Sequence, residues 1–365
     1  MTSVPPAALA LDTSLAGRRT TGIALYSQRL AHELAAGPEG RRLWMLGGLR
    51  EALPAAAHSA PRLRSRTSWM LAEVPVLLGR HRPRLFHGLC NFALPLWRPR
   101  GTRFVLTVHD LIPLEHPGSV SRAYRWQFER WLGHSLGLCD AVICDSEATR
   151  RDLLARFPRA PAVVVHLGAD HVPARAALAP LAPPSPRPYV LYVGALEARK
   201  NVPALLSAFE ALPHAREFSL VVVGQRAFGS EAVAAHVDRL AAAGLDVRLL
   251  GHLPEAELWA VLAGAAVLCC PSGAEGFGLP PLEGLALGVP VVASDIAPHR
   301  EVLGDAALFA APGDAPALAQ ALSRALEDGA LAGELRRRGP ERAASFTWRR
   351  CAAETAALYR RVGPG

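Results

Sequence analysis

The stretch from Ser272 to Ser294 constrains the fold of this chain more than any other part of its sequence. It reads S-G-A-E-G-F-G-L-P-P-L-E-G-L-A-L-G-V-P-V-V-A-S. Two apolar runs have the length of buried strands, one before it at Ala265 to Cys270 and one at its end at Val289 to Ala293. The stretch therefore predicts a strand, a loop, a short helix and a second strand, which is half of a Rossmann-like unit.

The short helix is predicted to begin at Pro280 and Pro281, because first-turn amides have no intrahelical partner to lose, and to end at Gly288 in a left-handed cap. Its N-terminus would face the loop at the carboxyl end of a parallel strand. Backbone N–H groups in that place, beside the positive end of the helix dipole, bind anions, and phosphate is the natural ligand. The residues that would present these groups are Gly276, Phe277, Gly278 and Leu279.

Two glutamates flank the glycine run with the spacing E-x7-E: Glu275 in the loop, and Glu283 in the predicted first helical turn. Carboxylates beside a phosphate would repel it unless they point at neutral hydroxyls. We therefore assign Glu283 to a ribose and Glu275 to a transferred sugar, on either side of a diphosphate. The alternative is an acidic helix start without a ligand.

The stretch resembles the signature of the retaining glycosyltransferases of family four, which have the GT-B fold and use nucleotide-sugar donors. Both glutamates, the G-F-G-L-P run and the G-V-P-V-V-A-S ending match together, whereas Gly284 stands where the family often has alanine. The resemblance implies an α/β protein of two Rossmann-like domains facing across a cleft, with a C-terminal helix that crosses back to the first domain.

A second motif, G-A-L-E-A-R-K-N-V, follows the predicted strand Tyr189 to Val193 and starts at Gly194. The resemblance makes Arg199 and Lys200 the cationic clamp on the donor diphosphate, which fits a leaving group that gains negative charge. Lys200 is the only lysine in the sequence, which suggests a position that needs a compact ammonium. An exposed basic pair in a loop is the alternative.

This motif departs from the family at one position, because many relatives have arginine directly after the glycine and this chain has Ala195. One donor of the clamp is therefore missing or comes from elsewhere. Further along, the resemblance places Leu253, in G-H-L-P, where relatives hold the nucleotide base through backbone groups.

In the N-terminal half of the chain, the resemblance to the family rests on fewer residues. Gly22 lies at a strand-to-helix junction, and the resemblance places this junction on the donor-phosphate side. The alternative, to which we give equal weight, is that Gly22 only makes the backbone turn easier there. The strand Arg103 to Val108 delivers His109 and Asp110 at its carboxyl end, where doubly wound sheets place ligands. In relatives, a histidine there approaches the transferred sugar from the acceptor side, and we expect the same of His109.

Arginines flank the apolar segment Trp69 to Leu78. One interpretation is an interfacial segment that makes peripheral contact with an anionic membrane at its inner face. The other, which we favour, is a solvated basic surface around an ordinary core helix. The flanking arginines are Arg62, Arg64, Arg66, Arg80, Arg82 and Arg84.

Several classes of protein are disfavoured by what the sequence lacks. No apolar run approaches the roughly 20 residues that span a bilayer, and the first residues have no basic n-region, so we expect a cytoplasmic protein. The six cysteines include no C-x-x-C pair, and no D-x-D occurs. We therefore expect neither a structural zinc nor a catalytic metal, and no cofactor apart from the nucleotide-sugar substrate.

The predicted domains are an acceptor-side domain at 1–170, a Pro- and Ala-rich linker at 171–188, a donor domain at 189–345 and a crossover helix at 346–365. The predicted function is retaining, metal-independent hexosyl transfer to a hydroxyl acceptor in glycan, glycolipid or metabolite biosynthesis. The resemblance favours mannose, from GDP-mannose, over a UDP-hexose. One alternative is a sugar phosphorylase on the same fold. The other, suggested by the net charge of +8 alone, is a nucleic-acid-binding protein, but the sequence has no recognised nucleic-acid-binding motif.

Overall fold

The computed structural model describes residues 9–16, 21–38, 40–47, 57–59, 63, 65–91, 93–116, 118, 120–179, 181–225 and 231–363. Contacts divide the chain into two compact units. One unit consists of Met1–Gly168 together with Thr347–Gly365, and the other is Ala169–Phe346. In the part of the chain described, no helix has the length and hydropathy needed to cross a membrane.

The N-terminal unit is built on a parallel sheet of seven strands in the order β3-β2-β1-β4-β5-β6-β7. The order runs outward in both directions from β1 and β4, as in a doubly wound fold. The strands are β1 (Leu9–Asp12), β2 (Leu43–Leu46), β3 (Ala57–Ser59), β4 (Leu85–Gly88), β5 (Arg103–Val108), β6 (Ala141–Cys144) and β7 (Ala162–Val164).

Helices cover this sheet: α1 (Gly22–Ala36), α2 (Arg66–Ser68), α3 (Val74–His81), α4 (Ile112–Glu115), α5 (Arg122–Leu138) and α6 (Glu147–Arg156). A π-helical turn, Trp69–Glu73, joins α2 to α3. Trp69, Met70, Val74 and Leu78 are at most 2 % exposed, so the segment with basic flanks is a core helix. Arg62 and Arg64 lie outside the described residues.

The C-terminal unit repeats the same strand order in a parallel sheet of six strands, β10-β9-β8-β11-β12-β13. The two parallel sheets confirm the predicted pair of Rossmann-like domains. The strands are β8 (Tyr189–Val193), β9 (Ser219–Val223), β10 (Asp246–Gly251), β11 (Val267–Cys270), β12 (Val291–Ser294) and β13 (Leu308–Ala310).

The helices of this unit are α7 (Val202–Glu210), α8 (Glu231–Ala242), α9 (Glu255–Gly264), α10 (Leu279–Ala286), α11 (Ala297–Leu303), α12 (Ala315–Glu327) and α13 (Gly329–Ala343). The proline-rich segment 171–188 is bonded to this unit. Arg175 Nη1 donates to the carbonyl oxygen of Leu287 at 3.2 Å, and the hydroxyls of Ser185 and Ser219 lie 2.7 Å apart.

The last helix, α14 (Trp348–Val362), belongs to the N-terminal unit and packs on α1. Buried polar groups fix it there. The Tyr359 hydroxyl lies 2.6 Å from His87 Nδ1, and His87 Nε2 lies 2.8 Å from the Thr107 hydroxyl, which pairs with Tyr26. Burial lowers the pKa of His87 to about 3, so this chain of hydrogen bonds is neutral around pH 7.

Candidate functional site

The candidate site begins where the strand order of the C-terminal sheet reverses. Strands β8 and β11 are hydrogen-bonded neighbours, although β9 and β10 lie between them in sequence. Ligands of open α/β sheets bind outside the carboxyl ends of the strands at such a point. The loop after β8 carries Lys200 and the loop after β11 carries Glu275, so topology brings together residues 75 positions apart.

A partly buried ion cluster joins these two loops. Lys200 Nζ donates to Glu275 Oε1 at 2.5 Å, and Arg199 Nη1 lies 3.4 Å from Glu275 Oε2. Burial alone would raise the pKa of Glu275, but the positive charges of Lys200 and Arg199 lower it to about 2. Glu275 is therefore a carboxylate at neutral pH, and it accepts hydrogen bonds without donating any.

Lys200 and Arg199 differ in how fully they are engaged. Arg199 Nε also donates to Glu197 at 2.8 Å, and the Arg199 carbonyl oxygen accepts from the backbone N–H of Gly273 at 2.8 Å. Lys200 Nζ has Glu275 as its one hydrogen-bond partner among the residues described. An ammonium carries three N–H donors, so Lys200 keeps donors for a ligand.

Helix α10 points its N-terminus into this region. Gly278 precedes the helix with φ +98°, a left-handed conformation that favours glycine. A Cβ there would lie 3.1 Å from His299 Cδ2. The Phe277 side chain is 4 % exposed and packs edge-on against Phe346, so the backbone of Phe277 is the part left to meet a ligand. As predicted, a proline opens the helix, and Gly288 follows it in the left-handed region.

His299, on α11, is a residue that the sequence analysis missed. It is fully buried, and its Nδ1–H donates to the carbonyl oxygen of Ser294 at 2.9 Å. Nε2 is buried without a hydrogen-bond partner in the described structure. Burial lowers the pKa of His299, and Lys200 adds to the effect, although Glu275 opposes it. The ring is therefore neutral at pH 7, and Nε2 is an acceptor beside the glycine run. The sequence signal that could have identified His299 is its position five residues after the end of the G-V-P-V-V-A-S segment.

The prediction that Glu283 lies in the first turn of the helix is wrong, because the helix begins before Pro280. Helix α10 begins at Leu279 with no acidic residue in its first turn, so Glu283 lies in the second turn. Its Oε1 is 3.1 Å from His171 Nε2, and His171 packs edge-on against Trp259. Sequence analysis missed His171 because it lies in the segment predicted to be a linker.

Gly194 directly follows β8 and allows a close approach of two backbones. A Cβ on Gly224, which follows the neighbouring strand β9, would lie 1.8 Å from the Gly194 carbonyl oxygen. Gly194 itself has φ +154° and packs against the Tyr192 hydroxyl, which donates to the Ala195 carbonyl at 2.8 Å. The structure therefore gives Gly194 a packing role at the switch point, and its contact with the donor stays a prediction.

Two further predicted residues have few contacts. Leu253 is half-buried between β10 and α9. Gly22 is the exposed first residue of α1, which Thr21 caps by accepting the Ala24 N–H at 3.2 Å. Residues 17–20 of the loop before Gly22 lie outside the described residues. The donor contacts of Leu253 and Gly22 remain predictions.

His109 and Asp110 follow β5 in the N-terminal unit, and both have structural partners. His109 Nδ1 donates to Asp145 Oδ2 at 2.6 Å, and His109 Nε2 donates to the Leu89 carbonyl oxygen at 2.9 Å. Burial lowers the pKa of His109, but Asp145 more than compensates and the net shift is upward. Asp110 Oδ1 accepts the Ile112 N–H at 3.1 Å. Contact of either side chain with the transferred sugar stays a prediction, and for His109 it would require breaking one of these bonds.

In the described ranges, no group of three or more His, Cys, Asp or Glu side chains is arranged to hold a metal ion. Cys270 ends β11 near Glu275 and Lys200, and burial raises the pKa of its thiol. The charged groups that meet at this switch point are the carboxylates of Glu275 and Glu197 and the cations of Arg199 and Lys200.

Two family models match this chain, one in each half. The model for "Glycosyltransferase Family 4" matches residues 21–172, and the model for "Glycosyl transferases group 1" matches residues 175–344. O-antigen chain mannosyltransferase B of Escherichia coli is 30 % identical in an alignment that covers 93 % of this chain and 96 % of that protein.

Solved structures share the fold. Sucrose-phosphate synthase from Thermosynechococcus elongatus superposes with a TM-score of 0.77 at 22 % identity, covering 97 % of this chain and 98 % of that one. Anabaena HepE in complex with UDP and glucose gives a TM-score of 0.71 at 16 % identity, covering 97 % and 99 %.

Proposed function

This chain belongs to glycosyltransferase family 4 and has the GT-B fold, and from that premise we propose that it is a mannosyltransferase. It transfers mannose from GDP-mannose to a hydroxyl of a growing glycan, with retention of anomeric configuration. The name of a relative that aligns over almost its whole length, O-antigen chain mannosyltransferase B, supports mannose as the sugar. The observation that carries the donor site is the cluster of Lys200, Arg199 and Glu275 beside α10.

In this proposal the two cations, Arg199 and Lys200, stabilise the leaving group. When the glycosidic bond breaks, the departing nucleotide diphosphate gains negative charge, and preorganised cations stabilise that charge most in the transition state. Lys200 retains free N–H donors while Glu275 holds its ammonium in place. The backbone N–H groups of the run from Gly276 to Leu279 add to this stabilisation at the N-terminus of α10.

The carboxylates of Glu275 and Glu283 accept hydrogen bonds from sugar hydroxyls in this proposal. Glu275 is ionised and accepts a hydrogen bond from the transferred sugar, which also favours positive charge at its anomeric carbon. Glu283 accepts from the ribose, and His171 holds one of its oxygens. The acceptor proton passes to the departing phosphate oxygen, as the family resemblance implies for retention on one face of the sugar.

Binding and turnover of the intact protein test this proposal. We expect calorimetry to show binding of GDP and GDP-mannose, and weaker binding of UDP, UDP-glucose and inorganic phosphate. Product analysis by NMR is expected to show the α-anomer from α-linked GDP-mannose. Binding of phosphate with no nucleotide response would instead indicate a phosphorylase, and an inverted product would overturn retention.

Lys200→Arg gives the sharper test of the cluster. The planar guanidinium cannot take the place of a compact ammonium 2.5 Å from Glu275 without shifting the diphosphate. We expect an unchanged melting temperature and the loss of most turnover. Arg336→Lys, at an exposed arginine of the same unit, is the matched control and should transfer normally. Normal transfer by Lys200→Arg would remove Lys200 from the donor site.

A further inference from the structure

Large exposed apolar side chains are concentrated in the N-terminal unit. Two of the most exposed are tryptophans, Trp126 on α5 at 64 % and Trp97 in the loop before β5 at 51 %. Tryptophans usually bury most of their surface in a fold, so two strongly exposed ones in one unit indicate a surface that binds a partner. Within the described structure, the exposed large apolar residues are Leu63, Val76, Leu96, Trp97, Tyr124, Trp126 and Leu181.

The exposed residues of α5 form a stripe. Arg122, Trp126, Arg130 and His134 are all exposed and follow one another at intervals of four, so they are neighbours along one side of the helix. The guanidinium carbon of Arg130 lies 5.2 Å from the centre of the Trp126 ring. The opposite side packs into the core through Phe128, Leu132, Ser135 and Leu136.

The loop before β5 extends this stripe. His134 Nε2–H donates to the carbonyl oxygen of Leu96 at 2.8 Å, which places exposed Leu96 and Trp97 at the end of the stripe. Arg98 Nη1 also donates to the Leu138 carbonyl at 3.1 Å, at the last residue of α5. We call Arg122, Trp126, Arg130, His134, Leu96 and Trp97 the aromatic–arginine face.

An open cavity of about 480 Å³ adjoins this face, lined by residues 98–103 with three arginines. Asp140 neutralises two of them, Arg98 and Arg103, at 2.7 Å each. Arg100 is exposed, and no hydrogen bond or ion pair of its side chain occurs among the residues the structure describes. The cavity therefore offers a cation to an anionic group.

The face as a whole carries uncompensated positive charge. Within the described chain, neither Arg122 nor Arg130 forms a side-chain hydrogen bond or ion pair, apart from the Trp126 contact of Arg130. The nearby acid Glu129 is paired with Arg156. Unpaired arginines with interleaved tryptophans match a bilayer surface that has anionic headgroups above an acyl boundary.

We propose that the aromatic–arginine face docks the protein peripherally on anionic lipid, with Trp97 and Trp126 in the headgroup boundary and Arg100, Arg122 and Arg130 on lipid phosphates. This surface differs from the basic segment around Trp69, whose apolar side chains are buried in the core. Charge selects the partner: two copies of this face would repel each other.

The experiment is vesicle co-flotation of the full chain. Vesicles of phosphatidylcholine alone are compared with vesicles that contain phosphatidylglycerol, at low and high salt. We expect binding to the anionic vesicles only, a loss of binding with salt, and a blue shift of tryptophan emission on binding. Binding equal in both lipids, or no binding in either, would overturn the proposal.

Charge-reversal variants locate the surface. Arg122→Glu with Arg130→Glu should weaken binding to anionic vesicles about 30-fold or more, since each arginine near the surface contributes a factor of roughly five. Arg336→Glu with Arg349→Glu, two exposed helical arginines outside the face, is the matched control and should bind like the parent. Equal effects of the two pairs would show a non-specific dependence on net charge and contradict the proposal.

Tryptophan variants separate a membrane from a second copy of the chain. Trp126→Ala should reduce the blue shift and weaken vesicle binding, whereas Val76→Ala, at an exposed apolar residue outside the face, should do neither. Light scattering then gives the oligomeric state. A dimer that dissociates in Trp126→Ala would make the face an interface between copies and overturn the lipid assignment.

Discussion

In both units an acidic and a basic side chain meet where the strand order reverses. In the N-terminal unit, between β1 and β4, Arg66 Nη2 donates to Asp12 Oδ2 at 2.9 Å. In the C-terminal unit, between β8 and β11, Lys200 Nζ donates to Glu275 Oε1 at 2.5 Å. A pair of opposite charge therefore lies at the strand-order reversal of each unit.

The two pairs differ in what else the cation contacts. Arg66 also donates to the Ser14 hydroxyl at 2.9 Å and to Cys90 Sγ at 3.0 Å, so three of its five N–H groups are bonded inside the protein. Lys200 has only Glu275 as a hydrogen-bond partner in the described structure. An ion pair at a switch point therefore indicates a ligand site when most donors of its cation are left spare, as in Lys200, which uses one of three. An ion pair whose cation uses most of its donors inside the protein is structural.

Glu275→Ala is expected to have the largest effect on this comparison. Because Glu275 acts on the transferred sugar, the variant should bind GDP about as well as the parent while kcat falls by roughly 10² or more. Glu217→Ala, at an exposed glutamate of the same unit, controls for charge. The test is to measure single-turnover transfer, nucleotide affinity and melting temperature on one preparation of each variant. A folded Glu275→Ala enzyme with normal turnover removes Glu275 from the catalytic residues.

Asp12→Asn tests the structural pair. The Asp12 side chain is 1 % exposed and that of Arg66 is 19 % exposed, so the variant leaves a mostly buried guanidinium without its counter-ion. We expect the free energy of unfolding to fall by about 2 kcal/mol, with GDP affinity unchanged. Urea denaturation and calorimetry measure the two quantities. Loss of GDP affinity without loss of stability would make this pair a ligand site too.

A smaller effect is the opposite pH response of the two units. The pKa of Glu275 is about 2 in the fold against 4.5 ordinarily, so its stabilisation is complete above pH 4.5 and disappears as pH falls toward 2. The pKa of His109 is raised above 6.5, so its stabilisation is complete below pH 6.5 and disappears as pH rises through the raised pKa.

Hydrogen exchange measured by unit over a pH series checks this. After correction for intrinsic exchange, we expect the C-terminal unit to lose protection on the acid side and the N-terminal unit on the alkaline side. Glu275→Gln should remove the first dependence and Asp145→Asn the second. Identical profiles for both units in the parent protein would contradict the assignment.

The smallest expected effect is that of chelation. If Arg199, Lys200 and the N-terminus of α10 neutralise the diphosphate, EDTA should leave transfer unchanged. Activity that EDTA abolishes and magnesium or manganese restores would show that the C-terminal pair is not sufficient for this task.

The sequence alone determined the local elements and their order. The apolar runs on either side of the glycine run predicted a strand, a loop, a short helix and a second strand, and the prolines and Gly288 predicted the ends of α10. These follow from short-range rules of burial and backbone conformation. The motif around Glu275 and Glu283 also predicted the family, because the spacing and the glycine run lie within one continuous stretch.

Tertiary structure decided which side chains are free to act, because that depends on partners far away in sequence. Glu283 meets His171, which lies 112 residues earlier in a segment without periodicity. His109 gives both its ring nitrogens to Asp145 and Leu89, and no local pattern reveals that saturation. Tertiary structure also decides which side chains are exposed. Trp69 and Trp126 both follow arginine-rich sequence, yet the Trp69 side chain is 1 % exposed and that of Trp126 is 64 % exposed. The reason is that only packing against the rest of the unit sets which face of a helix is covered.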